Sequence, residues 1–179
     1  MAVQVKQYDP TGKPISREAV SLFQNDAKKR GAERARELRA AVNTLVMPGQ
    51  RSLHMKAEGG ARRKVIADAV VALAVDVWVL DASGGSGKEH ERRARALTSL
   101  LEQVDVVQAH LVFDRDASME PFDRRLLSAV PPHRRPTYVH HQRHEEPLLA
   151  LPDVIAWSWA RGGEWRRRLD PLAIRIVEV

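Results

Sequence analysis

Val65-Ile66-Ala67-Asp68-Ala69-Val70-Val71-Ala72-Leu73-Ala74-Val75-Asp76-Val77-Trp78-Val79-Leu80 changes its period part-way along. Up to Leu73, the apolar residues Val65, Ile66, Ala69, Val70 and Leu73 recur at helical spacing. From there Val75, Val77 and Val79 alternate with Asp76, Trp78 and Leu80, which predicts a strand. The order repeats downstream. Leu97, Leu100, Leu101 and Val104 mark a second amphipathic helix, 106–113 reads as a strand and 119–128 as a helix. After the proline-rich basic loop Pro131 to Pro136, Thr137 to His140 forms a short strand and Pro147 to Ala160 a buried helix. Leu172, Ile174 and Ile176 alternate as a last strand. Upstream, Ser16 as N-cap and the stripe Leu38, Val42, Leu45 and Val46 predict a helix over much of 16–46, stopped by Pro48-Gly49. Val3 and Val5 hint at a short strand before the turn Asp9-Pro10-Thr11-Gly12. Strands separated by helices give an α/β fold with a mixed or parallel sheet flanked by helices.

A chain of 179 residues, 44% apolar and 29% charged, suits one domain spanning 1–179 with its own core. No run reaches the roughly 20 apolar residues of a membrane span, and the N-terminus has no secretory pattern, so a cytoplasmic protein is expected. With no cysteine, disulfides and thiolate zinc sites are excluded, and any metal needs carboxylate or histidine ligands. Lys and Arg number 29 against 23 Asp and Glu, a formal charge of +6 with a pI near 10.0, which favours phosphate-bearing partners. The densest basic segment, 28–39, holds Lys28, Lys29, Arg30, Arg34, Arg36 and Arg39 against Glu33 and Glu37. Arg134, Arg135 and Arg143 lie among His133, His140, His141 and His144. Basic neighbours repel a cation, so the histidine cluster reads as a solvated, phosphate-binding face more readily than as a zinc site.

The loop Ser83-Gly84-Gly85-Ser86-Gly87 before Lys88 fails the phosphate-loop pattern, because Ala82 stands where glycine is required and Glu89 where a hydroxyl is required. The acidic residues are more informative. Asp153 is the only charge in the apolar stretch Pro147 to Ala160, and a lone carboxylate there needs a hydrogen bond, a proton or a cation. Asp114 follows the strand ending at Phe113, where open α/β sheets commonly line a ligand crevice. If Glu58, Asp114 and Asp153 converge, their oxygens suit Mg²⁺ or Mn²⁺ and hence phosphodiester hydrolysis.

Two stretches carry a resemblance: Pro48-Gly49-Gln50-Arg51-Ser52-Leu53-His54 with Glu58 and Arg62-Arg63, and Glu146-Pro147-Leu148-Leu149-Ala150-Leu151-Pro152-Asp153 with Gly162-Gly163-Glu164-Trp165-Arg166-Arg167. They resemble an uncharacterised bacterial family with a ribonuclease-H-like fold. The resemblance covers about 38–168 and implies a ribonuclease-H-like core at 38–179 behind an atypical basic helical N-terminus at 1–37. It also implies metal-ligand positions at Glu58 and Asp153. The first-strand Asp-Glu-Ser-Gly segment of such proteins is absent here, and Asp9 sits in a commonplace turn.

Three functions follow as expectations. The first is a Mg²⁺- or Mn²⁺-dependent nuclease acting on RNA or an RNA-containing duplex, with Glu58, Asp114 and Asp153 as catalytic and metal residues. The second is a non-catalytic binder of nucleic acid, RNA ahead of DNA, or of a ribonucleoprotein, using Lys28, Lys29, Arg30, Arg34, Arg36, Arg134, Arg135 and Arg143. The third is a protein-interaction module or homo-oligomer built on the 16–46 helix and Trp157, Trp159 and Trp165, although such tryptophans are more often core.

Overall fold

Strand β3 (Asp76–Asp81) organises the molecule, because both of its faces are covered. Val77 and Val79 point to one side and Trp78 and Leu80 to the other, and all four are buried. The alternation continues in β4 (His110–Asp114), where Val112 joins the packing of Val77 and Val79, while Leu111 and Phe113 join Trp78 and Leu80. The strands thus form a middle layer between two helical layers. Helices α1 (Lys28–Thr44), α2 (Gly60–Ala72) and α5 (Ala150–Arg161) cover the first face, and α3 (Glu89–Gln103) and α4 (Glu120–Ala129) cover the second.

This computed structural model describes residues 2–3, 17–22, 28–82, 84, 87–103 and 109–179, with side chains from residue 31 onward. Its strands form two small sheets. One has the order β1 (Ala2–Val3), β2 (Arg17–Leu22), β3, β6 (Ile174–Glu178), with β1–β2 and β2–β3 antiparallel and β3–β6 parallel. The other pairs β4 with β5 (Thr137–His141) in parallel. The architecture is mixed α/β, as the sequence pattern predicts. Among the described residues, no helix is long and apolar enough to cross a membrane.

The N-terminal expectation needs correction. The helix starts at Lys28, and Arg17–Leu22 is a strand whose six residues pair in register with β3, from Arg17↔Asp81 to Leu22↔Asp76. The helical stripe Leu38, Val42, Leu45 and Val46 lies wholly after that boundary. An edge of β3 left open would present unpaired backbone groups, and β2 supplies their partners. Ser16, Val5 and the 9–12 turn lie outside the described residues, as do Ser83, Gly85, Ser86 and the first part of the strand read at 106–113.

Helix α5 is the most buried helix described, with every residue from Ala150 to Ala160 buried. Its entry is prepared by a single 3-10 turn, Pro147–Leu149, in which the Glu146 side chain accepts the Leu148 N–H at 3.1 Å. Pro152 falls in the first turn, where its missing N–H has no helical partner to lose. Gly162, at φ +69°, ends the helix, in the left-handed region that glycine favours. A short helix α6 (Gly163–Arg167), not anticipated from the sequence, follows directly. It brings Trp165 edge-on to Trp157 at 4.9 Å between ring centroids. Trp157 and Trp159 are buried within the chain, so these tryptophans serve its own core and leave little for a partner surface.

Candidate functional site

Strands β4 and β5 run parallel with Asp114 opposite His141, so both carboxyl ends open on the same edge of the sheet. Asp114 closes β4, and the turn after β5 carries Arg143 back over it. Arg143 donates through Nε and Nη2 to Asp114 Oδ2 at 3.2 and 3.0 Å. Its other terminal nitrogen, Nη1, faces Asp153 Oδ1 at 3.8 Å. The loop between α1 and α2 closes the cluster from the far side. There Met55 N–H donates to Asp153 Oδ2 at 2.9 Å, and His54 Nδ1 lies 3.0 Å from the same oxygen. A carboxylate only accepts, so Nδ1 carries the imidazole proton.

The lone acid on the apolar helix is therefore compensated threefold. Asp153 is completely buried, sits in the first turn of α5 where the helix dipole favours negative charge, and meets a backbone N–H, an imidazole and a guanidinium. The hydrogen bond to Asp153 holds the His54 pKa above its ordinary value of 6.5, outweighing burial, with the charges of Asp153 and Asp114 adding to it. Burial lowers the Arg143 pKa from its ordinary range, and Asp153 partly offsets this.

The His54 shift fixes a pH dependence. A histidine whose pKa is raised on folding adds stability that is fully present below its unfolded pKa, about 6.5, and lost as pH rises through the folded value. The parent should melt above His54→Gln by its largest margin near pH 5, with the margin shrinking by pH 8 or higher. Equal margins at both pH values would contradict the His54–Asp153 pairing.

Glu58 stands apart from this cluster in its bonding. It is buried, with Oε1 accepting from Gln50 Nε2 at 3.0 Å and Oε2 from Arg62 Nε at 2.8 Å. Arg62 also donates to the carbonyl of Leu45, tying the start of α2 to the end of α1. Asp114 and Asp153 thus meet through one guanidinium, while Glu58 belongs to a separate ion pair. Among the described residues no three His, Asp or Glu side chains gather as a metal-holding group. As arranged, the residues do not fit a divalent ion, because two of the acids share a fixed cation and the third has its own. Asp9 lies outside the described residues.

The basic candidates divide by what they touch. Arg36 and Arg134 are exposed. Arg34 ties α1 to the α2–β3 junction through the Leu73 carbonyl at 2.6 Å and pairs with Glu37 at 3.3 Å. Arg135 donates to the carbonyls of Ser128 and Val130 at the C-terminal end of α4, the usual place for a basic side chain. Arg143, read as a surface phosphate contact, is largely buried between the two aspartates. Lys28, Lys29 and Arg30 open α1, and only their backbone is described. Of the histidine face, His133 and His144 are exposed, whereas His140 is corrected, because it is buried against Asp123 at 3.0 Å. Its inward position follows from strand alternation, with Phe113 opposite it in the register.

Gly87 and Lys88, at the described end of the glycine loop, lead into α3. Glu91 Oε2 accepts the Lys88 N–H at 2.7 Å, so a side chain of α3 occupies an amide that a phosphate would need.

His54 and the bridging role of Arg143 were not singled out by the sequence. The partner of His54 is 99 residues away, beyond any local spacing. The available signal was the run of acids and bases at the carboxyl ends of two adjacent predicted strands. No protein-family model matches the chain, and neither a curated protein nor a solved structure shows detectable similarity to it.

Proposed function

We propose that the protein binds nucleic acid, RNA ahead of DNA, and that the Asp114–Arg143–Asp153–His54 cluster is a charge-neutralised site that shapes the binding surface without a metal. The observation carrying this reading is the Arg143 guanidinium, standing 3.0 Å from Asp114 and 3.8 Å from Asp153. It supplies the positive charge that two carboxylates would otherwise draw from Mg²⁺ or Mn²⁺. The formal charge of +6 and the exposed Arg36 and Arg134 provide phosphate contacts. The preference for RNA, and the ribonuclease-H-like form of the fold, rest on the sequence resemblance. A mixed sheet with helices on both faces supports that form.

Binding to a short RNA should weaken linearly in log K against log salt. Each phosphate contact removed should lower the slope by about 0.7 on a single strand or about 0.9 on a DNA-like duplex. Arg36→Ala should weaken binding a few-fold, equally for unrelated sequences, and flatten that slope. Affinity that does not change with salt ends the proposal.

One observation favours the nuclease as a second reading. Asp114 and Asp153 reach the same guanidinium, so displacement of Arg143 would leave two carboxylates facing one place. Cleavage of RNA that needs Mn²⁺ or Mg²⁺ and is abolished by Asp153→Asn, in a variant that still melts cooperatively, supports it. Absence of cleavage with both metals removes it.

A further inference from the structure

Beside the carboxylate cluster lies a small pocket lined by Asn43, Arg51, Ser52, Arg143 and His144, and closed below by Val42, Leu53 and Ala150. Its polar wall comes from three separate places in the chain: the end of α1, the loop after it, and the turn after β5. Its volume is about 40 Å³. Since a water needs roughly 10–15 Å³ by this measure, the space suits a few waters or one tetrahedral oxyanion and is far too small for a nucleobase. Arg51 is exposed and directs Nη2 to His144 Nε2 at 3.4 Å, an imidazole nitrogen that must accept there because guanidinium only donates. Arg143 has five N–H donors and gives two of them to Asp114, so others remain for a ligand at its pocket edge.

The nearby acids do not spoil this site. Glu146, just before Pro147 on the rim, is bonded to Arg39 at 2.7 and 2.9 Å and to the Leu148 N–H. Asp114 and Asp153 have Arg143 and His54. The exposed fork of Arg51, the N–H groups that Arg143 does not give to Asp114, a hydroxyl and a carboxamide above an apolar floor are the chemistry that takes a phosphate group. The pocket volume of about 40 Å³ leaves no room for the nucleosides on both sides of an internal phosphodiester, which suits a phosphate at the end of a strand.

We propose that the Arg51–Arg143–His144 pocket binds the terminal phosphomonoester of a nucleic-acid strand, which makes this protein a reader of phosphorylated strand ends. The inference rests on the nucleic-acid reading above and gives that reading its ligand.

The test compares one short single-stranded RNA carrying a 5′-phosphate, a 3′-phosphate or only hydroxyl ends, binding to the parent protein and to Arg51→Ala. Arg51 is exposed, so its removal leaves the fold intact, which thermal melting verifies. The parent should bind one of the phosphorylated RNAs about tenfold more tightly than the hydroxyl form, a bidentate phosphate contact being worth about 1.4 kcal/mol at that ratio. Arg51→Ala should bring the ratio close to one, leave hydroxyl-RNA binding within about twofold, and Arg51→Lys should restore only part of the discrimination. In parallel, inorganic phosphate should raise the melting temperature of the parent and not of Arg51→Ala.

Equal affinity of the parent for all three RNAs overturns the pocket assignment and leaves the nucleic-acid reading standing. If no RNA binds while inorganic phosphate stabilises the parent alone, the pocket is a phosphate site and the nucleic-acid reading falls. A discrimination that survives Arg51→Ala places the end-recognition elsewhere and overturns the proposal.

Discussion

Asp153→Ala should lower the melting temperature by roughly 5–15 °C, corresponding to about 2–4 kcal/mol at the 2–4 °C per kcal/mol of a chain this size. The loss comes from what the substitution strands. The Met55 N–H is buried with Asp153 as its acceptor, His54 loses the group that raises its pKa, and Arg143 loses one of two carboxylates. A cavity in the most buried helix adds to the cost. Asp153→Asn keeps the volume and an acceptor for Met55, so it should lose noticeably less. Thermal or denaturant unfolding of both variants checks this. An Asp153→Ala protein that melts within about 2 °C of the parent would mean that the carboxylate is not bonded as described.

A larger loss is expected on the opposite face of the sheet, at a buried cluster around Asp123. Arg93 donates Nε and Nη2 to Asp123 at 2.7 and 2.9 Å, and His140 Nε2 sits 3.0 Å from Asp123 Oδ2. All three are buried between α3, α4 and β5. Burial pushes the Asp123 pKa up, but the hydrogen bonds from His140 and Arg93 outweigh it and hold the carboxyl below its ordinary value. Asp123→Ala removes the carboxylate that the buried Arg93 guanidinium pairs with, and breaking a buried pair in this way typically costs about 3–5 kcal/mol. The melting temperature should fall by roughly 10–15 °C. Replacing both partners together, as Arg93→Met with Asp123→Leu, should recover much of that, because the residual cost is then packing and the His140 contact.

The sign of the acid dependence also follows. A carboxyl whose pKa is depressed on folding contributes stability above its unfolded value, near 3.9, and loses it as pH falls through the lower folded value. The gap between the parent and Asp123→Asn should therefore be wide at pH 6 and narrow progressively below about pH 4. A constant gap would remove the charge from the explanation.

What the sequence revealed, and what it hid, divides along the range of the interactions. The change of period between Leu73 and Val75 locates α2 and β3 to within a residue or two, because side-chain spacing is a local property of the backbone. The apolar run around Asp153 predicted that something must compensate the acid, and three groups do. It did not predict which, since Met55 and His54 lie 98 and 99 residues away. Strand β2 was taken for helix because its identity comes from pairing with β3, a partner well outside any local window. The basic residues were read by their charge and not by their neighbours, so Arg143 was assigned to solvent when two aspartates hold it. Glu58 shows the same limit, since its spacing to Arg62 signals an ion pair as readily as a ligand.

The position of Asp153 one turn into α5 bears on how the cluster moves. Every residue from Ala150 to Ala160 is buried, so local fraying cannot free that helix without opening the core around it. In hydrogen exchange, the α5 amides past the first turn should be among the last to trade with deuterium, at a rate set by global unfolding. Arg143 and His54 sit on connecting turns, whereas the carboxylate they meet is as fixed as the fold itself. Asp153 is the helix-borne half of a contact whose other half the turns must bring to it.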